Sequence, residues 1–158
     1  MADLYDCAAG TSVVLARETD PGSAQITLRL GEPEILVAPA FEIDTEHILI
    51  VTHRESPVQN LSLEQARALF AGEGDPGAQV WVYASGEDLQ GYFDQAVMSG
   101  RRVSSFARLA VSPQQMSEVL SAEPDAVGIL PRHWKMGNVR EVFDAGSVPV
   151  LALSLIHI

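Results

Sequence analysis

The stretch His47 to Gly72, HILIVTHRESPVQNLSLEQARALFAG, decides how the rest of the chain is read. It opens with a near-continuous apolar run, His47 to Thr52, which is the pattern of a strand buried on both faces in a parallel sheet. A polar, Pro-containing connection follows, His53 to Pro57. Ser62-Leu-Glu-Gln65 then has the form of a capping box, in which the Ser62 hydroxyl takes the Gln65 amide and the Gln65 side chain reaches back. Leu63, Ala66, Leu69 and Phe70 share one face of the helix it opens, and Gly72 closes it.

Working outward, the same strand-then-helix unit recurs. Gln79 to Ala84 reads as a strand with Val80 and Val82 on one side and Trp81 and Tyr83 on the other. It runs through the turn Ser85-Gly86-Glu87-Asp88 into a helix whose Leu89, Phe93, Ala96 and Val97 form the apolar stripe, with Ser85 and Asp88 read as a second capping box. Gly91 in that helix costs roughly 1 kcal/mol relative to Ala, which points to a close contact there. Arg108 to Val111 is a short strand. Ser112-Pro113-Gln-Gln115 starts another helix, with Met116, Val119 and Leu120 inward. Val127 to Pro131, Val139 to Phe143 and Val148 to Leu153 are three more strands.

Upstream, Gln25 to Leu30 alternates Ile26, Leu28 and Leu30 with Thr27 and Arg29, a strand with one buried face. Ser12 to Arg17 is a strand or a helical turn. Alternation of strands and short helices from His47 to Pro131 gives an α/β sheet in a layered domain.

Composition bounds the function. The chain has 158 residues, 47% of them hydrophobic, enough for a real core. Its formal charge of −11, with only Arg101 and Arg102 adjacent among the cations, argues against nucleic acid as a partner. The single cysteine, Cys7, permits neither an internal disulfide nor a cysteine-based zinc cluster and is expected to be an inert thiol. No apolar run is long enough to cross a bilayer, and residues 1–6 have neither the basic start nor the apolar stretch of an export signal.

Chemistry-bearing motifs are scarce. Ala84-Ser85-Gly86 lacks the Gly-x-Ser-x-Gly elbow of a nucleophile. His47, His53, His133 and His157 show no metal-binding spacing, so neither metal nor cofactor is expected. Gly72 to Gly77 lacks the Lys-Ser/Thr of a phosphate-cradling loop. Glu87 and Asp88 point about 100° apart on a helix and are not placed as an acid/base pair; they suit the first helical turn as favourable charge. What remains is the strand-turn-helix at Ser85, since ligands in open α/β sheets are held outside the carboxyl ends of strands.

Residues 47 to 72, VWVYASGED (80 to 88) and EPDAVGILP (123 to 131) together resemble the second lobe of type-2 periplasmic binding proteins, in particular the phosphate-binding-protein-like family of ABC importer receptors. That family shows "NPV-x-NLTLEQ-x-x-x-IF-x-G", a later strand leading into "GSGT", and "AIGY" near the return crossover. The resemblance covers about half the chain. It implies a two-lobed α/β fold with mixed sheets flanked by short helices, residues 1–46 giving part of the first lobe, 47–131 the second, and 132–153 the return. It further implies a non-enzymatic solute-binding protein at the periplasmic or extracytoplasmic surface, a monomer, with a small-molecule solute and an ABC permease as partners. The alternative is a ligand-sensing regulatory domain of the same fold within a larger signalling or transcription protein.

By position, Ser85 and Gly86 match the Ser-Gly of the family's anion-holding loop, while Glu87 stands where Thr is common and the Arg often found there is absent. A carboxylate at that point opposes phosphate. Thr11 and Ser12 are candidates for a first-lobe loop. Closure is expected by bending near His53 and Pro131. The last residues, Leu153 to Ile158, can be encoded by CTG TCT CTT ATA CAC ATC, which resembles the transposon end used in preparing sequencing libraries; residues 154–158 are therefore expected to be a non-native tail.

Overall fold

The computed structural model describes residues 9, 16, 23–32 and 39–154. Thr11, Ser12, Cys7 and the segment Ser12 to Arg17 lie outside the described residues, apart from Ala16. Six strands form one mixed sheet: β1 (Ile26–Leu30), β2 (Ala40–His53), β3 (Gln79–Val82), β4 (Arg108–Leu109), β5 (Ala126–Pro131) and β6 (Val139–Ser154), in the order β1-β6-β2-β5-β3-β4. β3 is parallel to β4 and β5, and β2 is antiparallel to β5 and β6, as is β1 to β6. Among the described residues the helices are α1 (Leu63–Ala71), α2 (Asp88–Phe93, continued by a π-helical turn Asp94–Met98) and α3 (Pro113–Ala122); a short 3-10 turn, Arg132–Trp134, follows β5. This is the two-lobed α/β fold with a mixed sheet and short flanking helices.

The core lies where the sequence places it. Ile48 to Val51 are fully buried, as are Phe70, Phe93, Val97, Met116 and Leu120. Phe70 and Phe93 meet with ring centroids 4.6 Å apart, which joins α1 to α2 under the sheet. Gly128 leaves room for α3: a Cβ there would stand 2.4 Å from the Met116 sulfur. Both halves of the Ser62/Gln65 capping box form, and Gly72 ends α1 at φ 83°. Ser112 caps α3 by accepting from the Gln115 amide at 3.2 Å, with Pro113 at the first helical position.

Several expectations are corrected. β2 is 14 residues long and starts at Ala40, so the boundary drawn at residue 46 falls inside a strand. The two strands expected over 139–143 and 148–153 are one 16-residue strand, β6, which absorbs Gly146 at φ 107° and carries register shifts against β2. Ser154, assigned to the tail, is the last residue of β6, pairs with Ile26 and donates its amide to the Pro39 carbonyl; residues 155–158 lie outside the described set. Ile26 and Leu28, expected to be buried, are exposed, and so is Leu63. Gly91 faces open space, with nothing within 4 Å of a Cβ placed on it.

The geometry divides the long strands in two. The second half of β2, Ile48 to Thr52, runs beside β5 and is covered on both faces. Its first half, Ala40 to His47, pairs with the distal half of β6, which in turn pairs with β1. The change of environment falls at Glu46–Ile48, opposite Pro131 and Ser147. Pro131 sits at this junction. His53 does not: it ends β2 at the far side of the sheet, buried, accepting the Glu55 amide on Nδ1.

Candidate functional site

The parallel strands β3, β4 and β5 all end on the same side, at the level of the β2 and β6 midpoints. The chain leaves β3 through Tyr83 and Ala84 and turns at Ser85, Gly86 and Glu87, all three exposed. Nothing lies within 4 Å of a Cβ placed on Gly86, so the turn opens on free space.

The turn is held from behind. The Gln90 side chain, buried under α2, accepts the Tyr83 amide at 3.0 Å and donates to Asp94 Oδ1 at 2.8 Å. The Tyr83 hydroxyl donates to the Ile129 carbonyl at 2.9 Å, and burial pushes its pKa far above the ordinary tyrosine value. β3, β5 and the start of α2 are thereby locked together. The Glu87 amide donates back to the Ala84 carbonyl at 3.0 Å, closing the turn.

The second capping box does not form. α2 is preceded by Glu87 as its N-cap, and no side chain caps it. Ser85 lies too far upstream in the turn for that role. Asp88 instead faces β1: its carboxylate accepts Arg29 Nε at 3.2 Å, the terminal Arg29 nitrogen at 2.5 Å and the Leu30 amide at 3.3 Å. The Asp88 hydrogen bond holds the Arg29 guanidinium above its ordinary pKa. The cation missing from the local sequence is thus supplied from 59 residues away. The Glu87 carboxylate has no hydrogen-bond or ion-pair partner among the described residues.

A belt of paired charges borders the junction of the long strands. His47 Nδ1 meets Asp144 at 3.1 Å, and Arg132, from the turn after β5, reaches Asp144 at 3.2 Å and Glu141 at 3.6 Å. Lys135 pairs with Glu141, and His133 with Glu46. Tyr92 of α2 donates to the carbonyls of Ala145 and Ser147, at 3.2 and 3.3 Å, fastening α2 to β6 on either side of Gly146. A Cβ on Gly146 would stand 2.9 Å from the Tyr92 oxygen.

Sequence reasoning placed Ser85, Gly86 and Glu87 at one turn, and the fold keeps them there at a strand end. It missed Arg29, Gln90, Tyr92 and Arg132. Arg29 offered one signal, as a charged residue on the polar stripe of a strand; Gln90 acts on its near neighbours Tyr83 and Asp94, and Tyr92 and Arg132 meet their partners only through the long-range placement of β6. Among the described residues no group of three or more His, Cys, Asp or Glu can hold a metal ion. The chemistry available is hydrogen bonding and charge.

No protein-family model and no curated protein sequence matches the chain. Solved structures do match. A putative phosphate ABC transporter substrate-binding protein with bound phosphate from Clostridium perfringens aligns with a TM-score of 0.76 at 16% identity, over 84% of this chain and 67% of that one. An ABC-type phosphate transport receptor from Vibrio cholerae aligns with a TM-score of 0.64 at 18% identity, over 84% and 68%. The regulatory domain of Synechocystis CcmR in complex with 2-PG aligns with a TM-score of 0.62 at 10% identity, over 87% and 67%. At these identities the likeness is one of fold: a periplasmic-binding-protein-like domain, shared by transport receptors and by regulatory domains.

Proposed function

We propose that the chain is the solute-binding domain of an ABC-type importer, acting at the periplasmic or extracytoplasmic surface as a monomer and delivering a small solute to a permease. The observation that carries this reading is the fold match over 84% of the chain to a receptor with bound phosphate. In this reading the solute lies against Ser85 and Gly86, at the carboxyl end of β3, and the protein performs no chemistry on it. Residues 1–46 contribute first-lobe contacts, Thr11 and Ser12 among them, and the lobes close by bending where β2 and β6 pass the junction at Glu46 to Ile48.

The preferred solute is neutral, zwitterionic or singly charged. The Glu87 carboxylate stands without a partner at the mouth of the turn, and Arg29 is already neutralised by Asp88, so a di-anion meets net repulsion. A ligand-sensing regulatory domain is the second reading. It is favoured by matches of similar extent to regulatory domains, including that of OxyR2 E204G from Vibrio vulnificus, with a TM-score of 0.60 over 84% of this chain.

A thermal-shift screen of sugars, amino acids and oxyanions tests the site. A true ligand at 100 times its dissociation constant stabilises the fold by about 2.7 kcal/mol, and Ser85→Ala weakens a neutral ligand by about 0.5 to 1.5 kcal/mol. Binding of a screened solute with no loss in Ser85→Ala would remove the turn from the site. A permease and an ATPase encoded beside the gene support the importer; a DNA-binding or kinase segment on the same chain supports the sensor.

A further inference from the structure

Three donors converge on the Asp88 carboxylate: Arg29 Nε, the terminal Arg29 nitrogen and the Leu30 amide. Two parallel guanidinium bonds plus a backbone amide is the arrangement by which proteins bind a free carboxylate. Apart from favouring the first turn of α2 by its charge, the Asp88 carboxylate has no other partner among the described residues. It does not cap α2, and it follows directly on the exposed Ser85-Gly86-Glu87 turn, which opens on free space. The two side chains remain 38% and 27% exposed, so solvent and solutes reach the pair. The two partners also sit on different parts of the fold, Arg29 on β1 at the first-lobe end of the sheet and Asp88 at the start of α2.

We propose that the Arg29 guanidinium and the Leu30 amide form the carboxylate-binding half of the solute site, and that Asp88 occupies it as a built-in competitor until a carboxylate-bearing solute displaces it. This rests on the reading of the Ser85 turn as the solute site. A partly exposed ion pair is weak, so a solute that matches the fork and also contacts the turn outcompetes it. The fork favours a planar, two-oxygen acceptor of single charge. Phosphate is disfavoured because the unpartnered Glu87 carboxylate adds a second negative charge beside a di-anion. Release of Asp88 also unfastens β1 from α2, so solute entry and the relation between the two ends of the sheet are coupled.

The test titrates the full chain with acetate and, separately, with inorganic phosphate, for wild type, Asp88→Asn and the double variant Asp88→Asn with Arg29→Gln. Affinity and the Arg29 Nε–H and Leu30 amide resonances are followed together. Removing the competing charge raises acetate affinity by about tenfold or more, and Arg29→Gln abolishes the gain. Phosphate gains less. An acetate affinity unchanged in Asp88→Asn, or a gain that survives Arg29→Gln, overturns the proposal, and an equal gain for phosphate overturns the carboxylate assignment. Should Asp88→Asn fail to fold, the wild-type titration decides: acetate shifts both resonances if it enters the fork, and the absence of a shift overturns it. A screened solute that binds through Ser85 while acetate leaves Arg29 untouched removes this inference and leaves the receptor reading standing. Failure of every screened solute at Ser85 sinks the receptor reading, and the acetate titration at Arg29 is still read on its own resonances.

Discussion

The two halves of β2 have the same backbone and opposite surroundings. Ile48 to Val51 are completely buried, in the cluster that also holds Phe70 of α1, Phe93 of α2 and Met116 and Leu120 of α3. Phe41 and Ile43, a few residues earlier on the same strand, are 61% and 51% exposed, and Ile26 and Leu28 on β1 are exposed beside them. A strand does not become core by being apolar; it becomes core when helices cover it. The helices that do so here all arise between Leu63 and Ala122, so they lie over the half of the sheet built from β3, β4, β5 and the ends of β2 and β6 nearest to them. Among the described residues α2 reaches the other half through the bonds of Asp88 to β1 and of Tyr92 to β6, while Phe41, Ile43, Ile26 and Leu28 stay exposed.

The largest expected effect tests the covered half. Phe93 is fully buried, and its ring packs on Phe70. Phe93→Ala opens a cavity between α1, α2 and the sheet and lowers stability by about 3 to 5 kcal/mol in a denaturant titration. A loss under about 1 kcal/mol would mean that α2 does not seal this half, and the contrast would collapse.

Next comes the packing of α3 on β5 in the same half. Gly128→Ala places a methyl group where the Met116 sulfur now lies, 2.4 Å from the ideal Cβ position, with both Leu120 methyl groups at 3.4 Å. The Met116 side chain is flexible at its end and yields, so the cost is about 1 to 3 kcal/mol rather than a failure to fold. Pairing the variant with Met116→Ala, which empties the space, should make the two losses non-additive if Gly128 acts through that contact.

Phe41→Ser is the matching change on the uncovered half. It removes an exposed ring and shifts stability by no more than about 0.5 kcal/mol. A loss like that of Phe93→Ala would show that Phe41 is covered in solution, and the two halves of β2 would then be alike.

The same division explains what could be read from the sequence. From His47 to Pro131 most local patterns reappear as folded elements, the apolar run at Ile48, the Ser62/Gln65 box, the alternation of Val80 to Tyr83 and the Ser112-Pro113 start among them, although the run at Ile48 pairs antiparallel on both sides and not in a parallel sheet. Local signals go far there because β2, β3 and β4 are each followed by a helix of the same core. β6 misled because Gly146 and Pro149 look like punctuation, yet β2 pairs with the strand on both sides of Gly146 and tolerates register shifts around it. Ile26 and Leu28 misled because alternation marks two faces of a strand without saying whether either is covered. At the site, Ser85 and Gly86 were legible as a strand-ending turn. The role of Asp88 was not: its capping motif was locally satisfactory, and an Arg-carboxylate fork from β1 displaced it.

The smallest effect concerns the junction between the halves, and it depends on pH. Asp144 lies on β6 beside the change of environment. Burial by itself would raise its pKa. The Gly146 amide, the His47 side chain and the Arg132 charge outweigh that and hold it below the ordinary 3.8. A carboxyl depressed in the folded state contributes stability that is fully present above the unfolded value and is lost as pH falls through the folded one. The window is therefore below about pH 4. The side chain is 38% exposed, so screening reduces the contribution to about 0.5 kcal/mol or less. Asp144→Asn should leave the folded state intact and flatten that part of the acid limb of the stability curve, most visibly at low salt. If the acid limb of Asp144→Asn superimposes on the wild type at low ionic strength, the charges around Asp144 contribute nothing net, and the junction is held by the Tyr92 bonds to Ala145 and Ser147 instead.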